Sequence, residues 1–231
     1  MNNSNKVIII EGIIGAGKTT FSKLLAEELD GIWLREPDEK KGNPYLDKFY
    51  KDTSRWAFTM QLHLLNMRYR MHLNAQWTNM NMDKNVVIDR SFYGDTAFAR
   101  LQLKNGSLSA DEFDTYAMCY QNMTSNVLLP QICIYLDIKP EIAAERIRKR
   151  MEIETGRTCE NVIDIGYLKQ LEVEELQVIE TLERQGVYVI RIEWNNDREE
   201  HDIKNKIKEI VKDIKEYKVV DMFINLHRRT I

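Results

Sequence analysis

Short apolar runs alternate with longer stretches of helical periodicity along the chain. Val7–Ile10 is a continuous apolar run with three isoleucines, as suits a strand buried on both faces. Phe21, Leu24, Leu25 and Leu29 then recur at helical spacing. Four more apolar, often β-branched runs follow: Gly31–Glu36, Asn85–Asp89, Ile132–Asp137 and Val187–Ile192. The segments between them predict helices. A short one covers Asn43–Asp52 with Tyr45, Phe49 and Tyr50. A long one runs from Thr53, with Thr53 or Ser54 as its cap, to about Asp83 without Gly or Pro. Further helices are expected over Phe92–Lys104, ended by Asn105-Gly106-Ser107, over Ala110–Leu129, closed by Pro130, after Pro140, over Tyr167–Gln185 and over residues 199–217. Strands separated by crossover-length helices imply an α/β fold, a five-stranded parallel sheet flanked by helices. With no internal repeat or linker, all 231 residues read as a single domain.

The first strand runs directly into Gly12-Ile13-Ile14-Gly15-Ala16-Gly17-Lys18-Thr19, which fits GxxxxGK[ST] at every position. Strand, glycine loop and helix are the context this motif requires. Its glycines let backbone N–H groups turn inward around a phosphate chain, and the helix N-terminus adds positive potential. Gly12, Gly15, Ala16, Gly17, Lys18, Thr19 and Thr20 are therefore candidate nucleotide-binding residues. Lys18 would reach the β- and γ-phosphates, and the Thr19 hydroxyl would help hold Mg²⁺. The motif defines a nucleoside triphosphate site, with ATP as the expected donor, and leaves the acceptor open.

In a parallel sheet functional residues gather at the carboxyl ends of the strands. Arg35-Glu36-Pro37 ends the second strand, because Pro37 cannot continue a ladder. Glu36 at that tip reads equally well as a general base or as a solvated acid. Asp89-Arg90-Ser91 ends the third strand; an aspartate there is placed to hold Mg²⁺, and Arg90 reaches the same crevice. On the long helix, Gln61 and Arg68 lie seven residues apart and share a face. For a helix standing alone they would face solvent beside a core stripe of Trp56, Met60, Leu64, Met67 and Met71. Arg146, Arg148, Lys149, Arg150 and Arg157 form the densest basic cluster. Its place after the fourth strand suits an arginine-rich lid over about 146–160 that neutralises phosphoryl charge. Asp197, in the turn after the fifth strand, is expected to border the adenine.

Composition narrows the partners. A formal net charge of −3 carries no global nucleic-acid footprint. Cys119, Cys133 and Cys159 show no paired spacing and read as reduced thiols. No apolar stretch approaches the roughly 20 residues of a membrane span, and the polar MNNSNK start lacks a signal pattern. A cytoplasmic protein, binding neither membrane nor nucleic acid, is the expectation. The apolar positions between Val219 and Leu226 suit packing on the body or a partner contact.

From Lys6 to about Lys215 the chain resembles the deoxynucleoside kinase family. The resemblance rests on the glycine loop with Phe21 following, Glu36-Pro37, Tyr50 with Trp56 and Gln61 in KDTSRWAFTMQ, Asp89-Arg90-Ser91, and the arginine-rich lid followed by Tyr167-Leu168. It implies a P-loop kinase that transfers phosphate from ATP with Mg²⁺ to the 5′-hydroxyl of a deoxynucleoside. In that reading Glu36 is the base and Arg90 assists it, with Lys18 and Arg157 at the transferring phosphate. Gln61 pairs with the base edge, Tyr50 and Glu160 hold the 3′-hydroxyl, and Trp56 lines the sugar and base pocket. Arg68 and Asp95 match a charged pair near the base, which favours deoxyadenosine, deoxycytidine or deoxyguanosine over thymidine. A homodimer through helices near residues 93–129 is also implied.

This chain departs from the family pattern in places. Asp89 stands where many animal members have Glu, Thr155 where a lid arginine is common, and Met60 where Phe is frequent. Arg146, Arg148 or Arg150 is then the second lid arginine. Thymidylate kinase is the competing enzyme, but Asp38-Glu39 and Ser91 depart from its usual Gly-Gly-Thr and tyrosine. A non-catalytic accessory subunit is the competing reading of another class, and the presence of Lys18, Glu36, Asp89 and Arg90 counts against it.

Overall fold

The apolar runs form the strands of one parallel sheet in the computed structural model, which describes residues 5–36, 43–153, 163–196 and 200–217. The strands are β1 (Val7–Glu11), β2 (Ile32–Leu34), β3 (Val86–Asp89), β4 (Ile132–Asp137) and β5 (Tyr188–Glu193), ordered β2-β3-β1-β4-β5. Every described residue of β1 and β3 is buried, whereas β5 at the edge is largely accessible. The register sets Ile10 beside Asp89 and Glu11 beside Tyr135. The chain order reverses at β1, so the crevice at its carboxyl end is the topological switch point where such sheets bind ligands.

The helices are α1 (Lys18–Glu28), α2 (Leu46–Lys51), α3 (Thr53–Met82), α4 (Phe92–Lys104), α5 (Ala110–Thr124), α6 (Pro140–Ile153), α7 (Ile165–Arg184) and α8 (Glu200–Glu216). Helix α1 packs on α8, while α3, α4 and α7 pack in succession. Several ends differ from the sequence expectation for local reasons. Asp52, not Thr53 or Ser54, caps α3, its carboxylate accepting from Arg55 N at 3.1 Å. Strand β2 is three residues long and ends before Arg35. Helix α2 begins at Leu46 rather than Asn43. Helix α5 stops at Thr124, not Leu129, where the Thr124 and Ser125 hydroxyls bond carbonyls of their own last turn. Helix α7 starts at Ile165 because Asp164 caps it, accepting from Tyr167 N at 2.6 Å. Among the described residues, no helix is long and apolar enough to cross a membrane.

Candidate active site

The glycine loop lies between β1 and α1 with its conformation set by close packing. Gly15 has φ 84°, and a Cβ there would stand 2.6 Å from the Ala143 carbonyl oxygen of α6. Gly12 has φ 147°, and its Cβ would stand 2.9 Å from Leu136 O. Only glycine fits such contacts at such angles. Lys18 is buried, and its Nζ donates to Gly12 O at 2.5 Å and Ile13 O at 2.8 Å. Burial, with Arg90 adding, pushes its ammonium down to about 8 against the opposing pull of Glu175, Asp89 and Glu36.

These three carboxylates come from separate elements. Asp89 at the end of β3 is 1% exposed, and neither of its oxygens makes a well-formed hydrogen bond among the described residues. Burial and the nearby Glu36 raise its carboxyl, while Thr19, Lys18 and Arg90 pull it back. Glu36, just beyond β2, accepts from Arg68 Nε at 3.0 Å and stands 3.5 Å from Arg90 Nε. Burial works against its ionisation, but Arg68 and Arg90 outweigh burial and hold the carboxyl below its usual range. Glu175, on α7 and 2% exposed, meets Arg90 Nη1 at 3.4 Å. Arg90 itself adopts φ 65°, rare for a residue with a side chain, and lies over the Phe98 ring at 4.8 Å.

Beyond Glu36 a buried polar chain runs along α3 and α4. Arg68 bridges Glu36 and Asp95. Asp95 Oδ2 accepts from the Tyr116 hydroxyl at 2.8 Å and from Gln61 Nε2 at 3.0 Å. Gln61 Oε1 in turn accepts from Gln102 Nε2 at 3.0 Å. Gln61, Arg68 and Asp95 are all buried, so the polar pair on α3 faces inward. The solvent-facing alternative fails because α4 packs against that face.

The loop and the polar chain border one cleft of about 470 Å³, within the ordinary range for a small-molecule site. Gly15, Gly17, Lys18, Thr19, Thr20, Glu36, Tyr50, Gln61, Arg68, Asp89, Arg90 and Arg150 all line it. Gly12 and Ala16 shape the loop from behind: Gly12 O receives Lys18, and Ala16 N bonds Ile13 O at 3.2 Å. Of the lid arginines on α6, Arg146 and Arg150 line the cleft and Arg148 is exposed. The i, i+4 spacing puts the first two on one face. Arg146 also donates to Asn196 O at 2.9 Å, tying α6 to the turn after β5. Trp56 is not brought to the cleft wall; it stacks on Tyr45 with ring centroids 5.8 Å apart. Arg157, Glu160 and Asp197, with Pro37, Cys159 and the apolar segment after Tyr217, lie outside the described residues.

Sequence reasoning missed Glu11, Gln102, Tyr116 and Glu175. Glu11 ends β1 and accepts from Ser91 N at 2.9 Å and the Ser91 hydroxyl at 2.5 Å. Its signal was a charge closing an apolar run immediately before Gly12. Gln102 falls seven residues after Asp95 on the same helix face. Glu175 is one glutamate among several on an amphipathic helix, and nothing in its neighbours marks it as buried.

A parallel sheet with this loop at its switch point, facing carboxylates and convergent arginines, defines a P-loop phosphotransferase. A family model described as deoxynucleoside kinase matches residues 8–212. The chain is 36% identical over 196 residues to a deoxyguanosine kinase of Dictyostelium discoideum, covering 85% of this chain and 66% of that protein. It is 34% identical over 188 residues to a deoxyadenosine kinase of the same organism, covering 81% of this chain and 72% of the relative. A solved deoxyadenosine kinase of M. mycoides with bound dCTP superposes with a TM-score of 0.75 at 25% identity, over 91% of this chain and 100% of that one. The chain belongs to the deoxynucleoside kinase family, and these matches favour a nucleoside kinase over the thymidylate kinase alternative.

Proposed function

We propose that this protein transfers the γ-phosphate of ATP to the 5′-hydroxyl of a deoxynucleoside in nucleotide salvage. The observation that carries the reading is Glu36, an ionised carboxylate paired with Arg68 and Arg90 in the wall of the cleft that the glycine loop also lines. Glu36 orients the 5′-hydroxyl and receives its proton as the new O–P bond forms and the bond to the β-phosphate oxygen breaks, releasing ADP. Lys18, Arg90, Arg146 and Arg150 neutralise charge on the transferring group, and Arg157 of the lid joins them. Tyr50 and Glu160 hold the 3′-hydroxyl, and Asp197 borders the adenine.

Mg²⁺ fits the residues present. Asp89 offers two buried oxygens without well-formed partners among the described residues, and Thr19 lines the same cleft. These are hard oxygen donors, and Mg²⁺ is ordinarily held by one or two carboxylates plus phosphate oxygens. When bound it supplies positive charge beside the phosphates. Among the described residues no three His, Cys, Asp or Glu side chains gather as an all-protein cage.

The favoured acceptors are deoxyadenosine, deoxycytidine and deoxyguanosine, supported by the buried Arg68–Asp95 pair and by the names of the relatives. The reading includes a single kinase domain acting as a homodimer through helices near residues 93–129; the exposed Met118 on α5 falls within that range. It places the protein in the cytoplasm, with free Cys119 and Cys133 as support. The test is a phosphate-transfer assay with Mg-ATP against four deoxynucleosides and thymidine monophosphate. Phosphorylation of the amine-bearing deoxynucleosides is expected. Activity on the monophosphate alone, or on none of the five, overturns the reading.

A further inference from the structure

We propose that Gln102 is a specificity-determining residue, whose side-chain carbonyl accepts an N–H donor from the far edge of a purine base. The proposal rests on the deoxynucleoside reading of the cleft and names the base class within it.

The orientation of two amides follows from their neighbours. Gln61 Nε2 meets the Asp95 backbone carbonyl at 3.1 Å and Asp95 Oδ2 at 3.0 Å. Both are acceptors, so the NH₂ end of Gln61 must face Asp95, and its oxygen must face Gln102. Asp95 is itself fixed by Arg68 and by the Tyr116 hydroxyl. Gln102 therefore has to present its own NH₂ to Gln61 Oε1, at 3.0 Å. That leaves Gln102 Oε1 pointing elsewhere, buried and without a hydrogen-bond partner among the described residues. The residue is 3% exposed and lines the cleft together with the apolar Met60 and Leu64. A buried acceptor of this kind is costly to leave unmatched, so its partner is to be sought in what fills the cleft.

The position selects the base. From the reacting end the polar wall runs Glu36, Arg68, Asp95, Gln61, Gln102. Gln102 is the last member of this hydrogen-bonded series, two helical turns beyond Asp95 on α4. With the 5′-hydroxyl at Glu36, the longer purine system reaches this end better than a pyrimidine ring. Adenine carries an exocyclic amine, and guanine a ring N–H and an amine, as donors there. Gln61 does not supply the same contact, because its oxygen already accepts from Gln102 Nε2.

The experiment compares Gln102→Met, which keeps the side-chain volume and removes both polar atoms, with the parent enzyme. The kcat/KM values are measured on deoxyadenosine, deoxyguanosine, deoxycytidine and purine 2′-deoxyriboside, which lacks an exocyclic amine. The ratio of deoxyadenosine or deoxyguanosine to deoxycytidine is expected to fall roughly 10–100-fold in the variant, with a smaller loss on purine 2′-deoxyriboside. Gln102→Asn, which retracts the same amide by one carbon, is expected to show the same ranking and serves if the first variant does not fold. An equal loss on every acceptor, or unchanged ratios in a folded variant, overturns the assignment. A parent enzyme that phosphorylates none of the nucleosides overturns the kinase reading first, and the assignment with it.

Discussion

Arg68 Nε donates to Glu36 Oε1 at 3.0 Å while the same guanidinium reaches Asp95, so one side chain joins the reacting end of the cleft to its base end. The Glu36 carboxyl is held below its ordinary range by Arg68 and Arg90 against the effect of burial. Arg68→Gln removes the larger of these two opposing charges. The acid limb of the kcat/KM profile, which follows protonation of Glu36, is then expected to move to higher pH, as a depressed carboxyl returns toward its usual value. Deletion also leaves Asp95 buried without its cation, a loss of about 3–5 kcal/mol. Thermal melting and a pH–rate profile check the two effects separately.

Glu36→Gln keeps the shape and removes the basic oxygen. Turnover is expected to fall by about 10²–10⁴-fold, the usual contribution of a general base. ATP affinity should change little, because the glycine loop is untouched. Wild-type turnover in the variant would falsify the base assignment; steady-state kinetics and a nucleotide titration decide.

Arg146 and Arg150 line the cleft on one face of α6, whereas Arg148 is exposed on another. Arg146→Ala is expected to lower kcat by about tenfold or more, and Arg148→Ala to leave it within about twofold. Comparable losses in both would mean that charge density, not placement, is what matters in this helix.

Burial pushes the Glu11 carboxyl up to about 7, with Glu175 adding and with Arg90 and the Ser91 hydrogen bonds opposing. Its folded value lies above its unfolded one. The stability associated with the neutral carboxyl is therefore fully present below the unfolded pKa, about 4.5, and is lost as pH rises through about 7. Glu11→Gln is neutral at all pH values and its amide oxygen can still accept from Ser91. Relative to wild type, the variant is expected to gain stability between about pH 5 and about pH 8, by up to a few kcal/mol. Denaturant midpoints at the two pH values test this, and a constant difference would contradict it.

Gly94 sits on α4 with no room for a side chain. A Cβ there would lie 2.5 Å from Glu11 Oε2 and 2.9 Å from Glu11 Cδ. The carboxylate is pinned by Ser91, so it cannot swing aside freely. Gly94→Ala is expected to destabilise the protein by about 1–3 kcal/mol, despite the higher helix propensity of alanine. A melting temperature at or above the parent's would show that Glu11 relocates without cost.

Much of the fold was legible because its signals are local. Apolar runs of strand length, crossover-length helical periods and an unbroken GxxxxGK[ST] string are contiguous in sequence, and sheet topology follows from their alternation. The helix ends were less legible: Asp52, one residue before the expected caps, won through a hydrogen bond that depends on backbone geometry. Glu36, Asp89 and Arg90 could be found because strand tips are where a parallel sheet gathers chemistry. Gln61 and Arg68 carried the right spacing but no indication of which way their helix face turned.

Element types, the parallel sheet and the phosphate-binding loop are readable along the chain, since each depends on residues within a few positions of one another. That Arg68 spans Glu36 and Asp95, that Trp56 packs outside the cleft, and that Glu11, Gln102 and Glu175 are buried near it emerges from the packed molecule alone. These facts depend on how α3, α4 and α7 pack against one another. A charged or amide side chain looks the same in a sequence whether a neighbouring helix covers it or water does.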